Sequence, residues 1–238
     1  MLSRSSLLVL FFACASAGHA THLIGGELYY DHISGDDYQV TLKLYRDCGP
    51  NNTNGTGFDA NAEIGVFDNA GNWLFSELFT LPVPVLIPIS LSNPCLTVPP
   101  GICVEEASYT GVITLPSGTG GYTLAYQRCC RTPVTINLNS PNTQGITCMV
   151  KVPDTAVTGA NSSPHFANYP PIVWCNSEAM VFDHHAVDAD GDALTYELCA
   201  PFQGADQFNP MPSPPAPPPA CRRGPRRWRP GGSSGCGG

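Results

Sequence analysis

The chain has 238 residues, 42% of them hydrophobic and 13% charged, with a formal net charge of −8. That length allows one or two domains. All 19 acidic residues lie between Glu27 and Asp206, and residues 5–220 set only Lys43, Arg46, Arg128, Arg131 and Lys151 against them, a net −14. Such a field argues against nucleic acid as a partner and favours cations.

The N-terminus reads as an export signal over residues 1–20: Arg4, the apolar run "LLVLFFA" and the small-residue exit "ASAGHA". The run is too short to span a bilayer, and no later segment approaches the ~20 apolar residues a spanning helix needs. A secreted or cell-surface location follows, with no transmembrane span in the mature chain.

From there the pattern is that of strands. "LIGGELYY" (23–30) and "YQVTLKLYR" (38–46) flank the polar "DHISGDD" and form a hairpin; the second alternates Val40, Leu42 and Leu44 with Gln39, Thr41 and Lys43. "EIGVFD" and "WLFSELF" flank the turn "NAGN" (69–72). The loop 47–60 is rich in Asn and Gly, and the stretch 81–101 holds six prolines, which confine it to an edge strand or an extended connection. Further strands are expected at 107–115, 122–129 and 147–152. No segment carries a sustained helical stripe. The class is all-β, an Ig-like β-sandwich over residues 21–154.

A linker is expected at 155–162, then a partial Ig- or cadherin-like unit at 163–208 with two or three strands, too few for a sandwich of ~100 residues. Residues 209–219 form a proline tract that cannot build a core, and 220–238 switch abruptly to Gly and Arg without acids. This tail, 209–238, reads as disordered, either a basic arm or a non-native ending such as a shifted frame.

Of eleven cysteines, Cys14 lies in the signal, two lie in the tail and eight lie in the body: Cys48, Cys95, Cys103, Cys129, Cys130, Cys148, Cys175 and Cys199. An even set in an exported chain reads as a disulfide framework whose connectivity the spacing does not give. No CxxC pair supports zinc.

"ATHLIGGELYY", "YQVTLKLYRDC", "YTLAYQRCCR" and "VFDHHAVDADGDALTYELCAPF" together resemble the N-terminal region of large secreted surface proteins of gliding bacteria and their relatives. That family carries PKD-type Ig-like repeats and ends in a gliding-motility-associated, type IX secretion sorting domain. The resemblance implies export, a sandwich and an adhesive or structural surface role, with other domains of a surface protein and extracellular polymers as partners. The chain departs from the family in carrying neither a repeat array nor the sorting domain.

Three chemistries compete at "VDADGDALTYELC" (187–199) and its surroundings. Asp188, Asp190 and Asp192, with Gly191 and the upstream Asp183, are calcium candidates; the segment is similar to the D-x-D-G-D-x-L-x-Y stretch of cadherin-like repeats. An EF-hand is rejected because its twelfth position is Cys199 rather than Glu. The bland alternative is an Asp–Gly turn. A glycosidase pair is disfavoured, because neighbouring aspartates on one loop share one solvent face. Asp183–His184–His185 with His165 lacks convergence, since adjacent strand side chains diverge. Asn51, Asn54 and Asn161 begin N-x-S/T sequons. The expectation is a non-catalytic binding or structural module; the rival is an accessory β-domain of a secreted enzyme.

Overall fold

The computed structural model describes residues 23–50, 57–89, 97–129, 131, 141, 144–173, 179, 181–197 and 202. Eight strands build the body: β1 (Leu23–Ser34), β2 (Asp37–Asp47), β3 (Asn61–Asp68), β4 (Trp73–Thr80), β5 (Val85–Leu86), β6 (Val104–Thr114), β7 (Tyr122–Cys129) and β8 (Gly145–Val152). They form two four-stranded antiparallel sheets, ordered β1-β2-β6-β5 and β4-β3-β7-β8. Lettered A, B, C, C′, D, E, F and G in chain order, these are an ABED sheet facing a C′CFG sheet, the strand order of the immunoglobulin sandwich. After β8 come a single-turn helix α1 (Thr155–Thr158) and a short pair, β9 (His165–Phe166) with β10 (Ala186–Val187).

Alternation explains the layers. Leu28 and Tyr30 of β1, Val40, Leu42 and Leu44 of β2, and Ala107, Tyr109 and Ile113 of β6 face Ala62, Ile64, Val66, Leu124, Tyr126 and Val152 of the other sheet in one core. Tyrosines supply much of its volume, and their hydroxyls need partners when buried. Tyr109 donates to the Asp59 carbonyl at 2.7 Å, Tyr122 to the Pro116 carbonyl at 2.8 Å, and Tyr30 to Asn161 Oδ1 at 3.2 Å. At one flank Phe79 of β4 lies over Gly111 of β6, where a Cβ would penetrate the ring.

The first hairpin is tighter than its polar heptapeptide suggests. β1 and β2 stay paired to Ser34↔Asp37, because Gly35 takes φ +56° and lets two residues reverse the chain. The proline-rich stretch behaves as its composition requires, with β5 the outermost strand of its sheet. Ile87 donates its N–H to Val104 at 2.9 Å, so Leu86 points its own N–H outward. Pro82, Pro84 and Pro88 share Leu86's parity, and this edge therefore offers almost no donors to another strand.

Cys48 and Cys103 form a disulfide with Cα atoms 4.9 Å apart, stapling the end of β2 to the approach to β6 within one sheet. Cys129 is also disulfide-bonded. Cys148 corrects the expectation of a fully paired set: it is a free, buried thiol. It faces inward on β8 beneath Gly26 and packs as a small apolar side chain, and burial pushes its thiol up to about 12. Cys95, Cys130, Cys175 and Cys199 lie outside the described residues, as do the signal and the tail.

Candidate functional site

Positions that alternate with the core place a second set of side chains on the outer face of the β1-β2-β6-β5 sheet. Glu27 and Tyr29 of β1, Lys43 and Tyr45 of β2, and Glu106 and Ser108 of β6 sit side by side through the pairings Glu27↔Lys43↔Ser108 and Tyr45↔Glu106. Glu27 Oε1 lies 3.5 Å from Lys43 Nζ and accepts from the Tyr45 hydroxyl at 3.3 Å. Lys43 Nζ stands 5.4 Å from the Tyr29 ring centroid, a cation–π distance. Ser108 donates to Glu106 Oε1 at 2.6 Å.

Burial and charge pull against each other here. Burial would lower the Lys43 pKa, but Tyr29, Glu27, Glu106 and Tyr169 around it outweigh that, and the net shift is upward. The Tyr45 hydroxyl is pushed up, first by burial and then by the Glu27 and Glu106 carboxylates. Both shifts favour the protonated side chain.

The chain after α1 runs across this face. Asn161, Ser162 and Ser163 follow the edge of β1: Ser163 donates its N–H to the Tyr30 carbonyl at 2.8 Å, Tyr30 N–H donates to Ser163 Oγ at 2.8 Å, and His32 N–H to Ser162 Oγ at 3.2 Å. His165 stacks on Tyr29 at 5.2 Å, Phe166 N–H reaches Glu27 Oε2 at 3.4 Å, and Tyr169 meets Tyr45 edge-on at 6.2 Å. Asn161 and Ser162, the end of the expected linker, thus lie against the sandwich together with the first residues of the expected second unit. Beyond them the described part of the expected second unit contains one two-residue strand pair and adds no residue to the apolar core.

The acidic turn closes this segment. Asp188 Oδ1 accepts from the N–H of Asp190 at 2.9 Å and of Asp192 at 3.1 Å, and Gly191 takes φ +79°. The turn so formed reaches back: Asp190 Oδ2 accepts from Ser162 N–H, and Asp192 Oδ2 from Asn161 Nδ2 at 3.1 Å. Asp183 is elsewhere, with its Oδ2 3.0 Å from His185 Nδ1. The structure therefore brings together three of the four calcium candidates and separates the fourth. The three direct oxygens at N–H donors, and among the described residues no group of three or more His, Cys, Asp or Glu side chains is placed to hold an ion. Calcium needs six to eight converging oxygens, so this arrangement does not fit a calcium cage as it stands.

The remaining candidates are dispersed. His184 stacks on Phe166 at 4.0 Å, away from His165 on Tyr29, so the histidines do not converge. Asn161 carries both a donor and an acceptor bond on its amide, which occupies the sequon side chain; Asn51 and Asn54 lie outside the described residues. A groove of about 350 Å³ opens beside the Cys48–Cys103 bridge, walled by Ile24, Tyr45, Ile87, Ile102, Tyr169 and Ile172.

Comparison with family models, with curated proteins and with solved structures gives no match. The outer-face cluster was missed in the sequence. Its one signal was the tyrosines at solvent-side positions of β1 and β2, where a simple half-buried strand carries polar residues.

Proposed function

We propose that this chain is an exported, non-catalytic binding or structural module of a cell surface, and that its acidic turn serves to seat the following segment on the first sandwich. The observation that carries the reading is the direction of the carboxylates: Asp190 and Asp192 grip Ser162 and Asn161, which are themselves bonded to β1. A catalytic pair would face each other across an open cleft, with one acid raised by burial. Disulfide bonding at Cys48, Cys103 and Cys129 supports an oxidising compartment. The Ig-like strand order supports a place among the repeat-bearing surface proteins that the sequence resembles, with extracellular polymers or neighbouring domains as partners.

The test is a pull-down on intact cells and insoluble cell-surface polysaccharide, with release of reducing ends and of peptides followed in the same tubes. Retention without product release is expected. Sustained product release that disappears in Asp190→Asn would replace the reading with an enzymatic one, and no retention on either material would remove it.

A further inference from the structure

The groove beside the Cys48–Cys103 bridge is assembled from two parts of the chain. The sandwich supplies Ile24, Tyr45, Ile87 and Ile102, and the segment after it supplies Tyr169 and Ile172. The disulfide fixes the backbone beneath, where the Cys48 N–H also donates to the Cys103 carbonyl at 3.0 Å. A second hollow adjoins the first, sharing Ile102, Pro171 and Ile172 and adding Pro99 and Val173. Two apolar hollows in a row make a trough. Both tyrosine hydroxyls are committed to carboxylates, Tyr45 donating to Glu27 Oε1 at 3.3 Å and Tyr169 to Glu106. What the tyrosines give the trough is therefore ring surface, set edge-on with centroids 6.2 Å apart.

The surroundings select among occupants. An added β-strand would find almost no donors on the neighbouring β5 edge, where Ile87 turns its N–H to Val104. A proline-rich chain needs no such ladder. It forms a polyproline II helix without internal hydrogen bonds, and its prolines carry no N–H to strand on an apolar wall. Aromatic-lined grooves are the surfaces on which such chains dock.

This molecule carries a matching segment at 209–219. Polyproline II repeats every three residues, which sets Pro212, Pro215 and Pro218 on one face. The tract can also reach. Ala186 N–H donates to the Tyr196 hydroxyl at 2.9 Å, and Ala186 pairs with Phe166, three positions before Tyr169 of the groove wall. Those three positions cover about 10 Å, whereas the sixteen from Tyr196 to Pro212 extend to about 50 Å. A flexible tether presents its end at an effective concentration on the order of millimolar, so a weak fit suffices. Charge agrees: Asp47 lines the groove of a body that nets −14, and Arg222 and Arg223 follow the tract.

We propose that this trough is a binding site for proline-rich extended chain, and that tract 209–219 of the same molecule occupies it. A proline-rich segment of another protein then binds only by displacing the tract.

The test compares the full chain with a variant carrying Pro212→Ala, Pro215→Ala and Pro218→Ala, using a fluorescent synthetic peptide of residues 209–220 as probe. The peptide should bind the variant about tenfold more tightly than the wild type, where the tethered tract competes. Binding to the variant should be lost when Ile102→Asp is added, and a peptide with Ala for Pro should not bind. Equal affinity for the two chains, equal affinity of the two peptides, or indifference to Ile102→Asp overturns the proposal. Methyl NMR reads the site without any change in the groove. The Ile24, Ile87, Ile102 and Ile172 signals should differ between wild type and the proline variant and return when peptide is added, with core Ile64 unmoved. Signals that do not differ overturn the proposal. A difference that fades on dilution assigns the occupant to a second copy and overturns docking within one molecule.

Discussion

Leu42, Ile64, Val66 and Leu124 expose none of their surface, whereas beyond Val152 the described chain buries only two serines. The sandwich is held by apolar side chains interleaved between two sheets; the segment laid across it is held by hydrogen bonds and ring contacts at a wet surface. A buried apolar side chain contributes about 1.5–3 kcal/mol, whereas a hydrogen bond exchanged with water contributes about 1 kcal/mol net. The two regions should therefore respond to different insults, the first to lost volume and the second to lost polar partners.

The largest expected effect lies in the core. Leu42→Ala removes a fully buried side chain between the sheets and should lower unfolding free energy by about 4 kcal/mol, measured by urea denaturation. A loss below about 1 kcal/mol, well under the usual range for such a truncation, would break the contrast at its stronger end. Next comes the staple: with a sequence separation of 55, opening Cys48–Cys103 by Cys103→Ser should cost about 3 kcal/mol, read the same way under non-reducing conditions. The groove beside it should loosen too, visible as faster exchange at 101–104.

A smaller effect is expected where sandwich and segment meet. Asp154 caps α1 and holds the turn before β7, accepting from Ala156 N–H at 3.0 Å, Gly118 N–H at 2.9 Å and Gly120 N–H at 2.8 Å. Those bonds, with Gly118 and Gly120 first, hold its carboxyl below the usual range. Because the folded pKa is the lower one, the stabilisation is complete above the unfolded value of ~3.9 and is lost as pH falls through the folded value. Asp154→Ala should lower Tm by a few degrees at neutral pH, and the deficit should shrink in acid below that window. A deficit that stays constant down to strong acid would mean that the carboxylate charge is not what binds the loop.

How far the sequence discloses all this depends on whether a feature is local. The alternation in 38–46 is local and becomes a strand with the expected face inward, and the strand expected at 122–129 forms as well. The hairpin across the polar heptapeptide was legible too, but not its tightness: Gly35 at φ +56° lets pairing run on to Ser34↔Asp37. The Glu27–Lys43–Tyr45–Glu106 cluster is not local: it requires the register of three strands, and the paired Tyr45 and Glu106 are 61 positions apart in sequence. Cysteine pairing has the same character, and Cys148 shows that an even count does not oblige every thiol to find a partner. In "DADGD" the turn was legible from Asp–Gly, but its targets, Asn161 and Ser162, were not.

That turn offers the finest test of the contrast. Its carboxylates can serve one of two tasks, gripping N–H donors or gathering round a cation, and a given oxygen cannot do both well. As placed, Asp190 and Asp192 perform the first. Replacing either with Asn should leave the global Tm within about one or two degrees of wild type, since surface substitutions outside the core are usually worth under ~0.5 kcal/mol. Calcium added to chelator-treated protein should then change the wild-type Tm no more than it changes that of Asp190→Asn. A calcium-dependent rise in the wild type that vanishes in Asp190→Asn would show the turn leaving Ser162 to coordinate the ion. The junction between the segment and the first sandwich would then be metal-controlled.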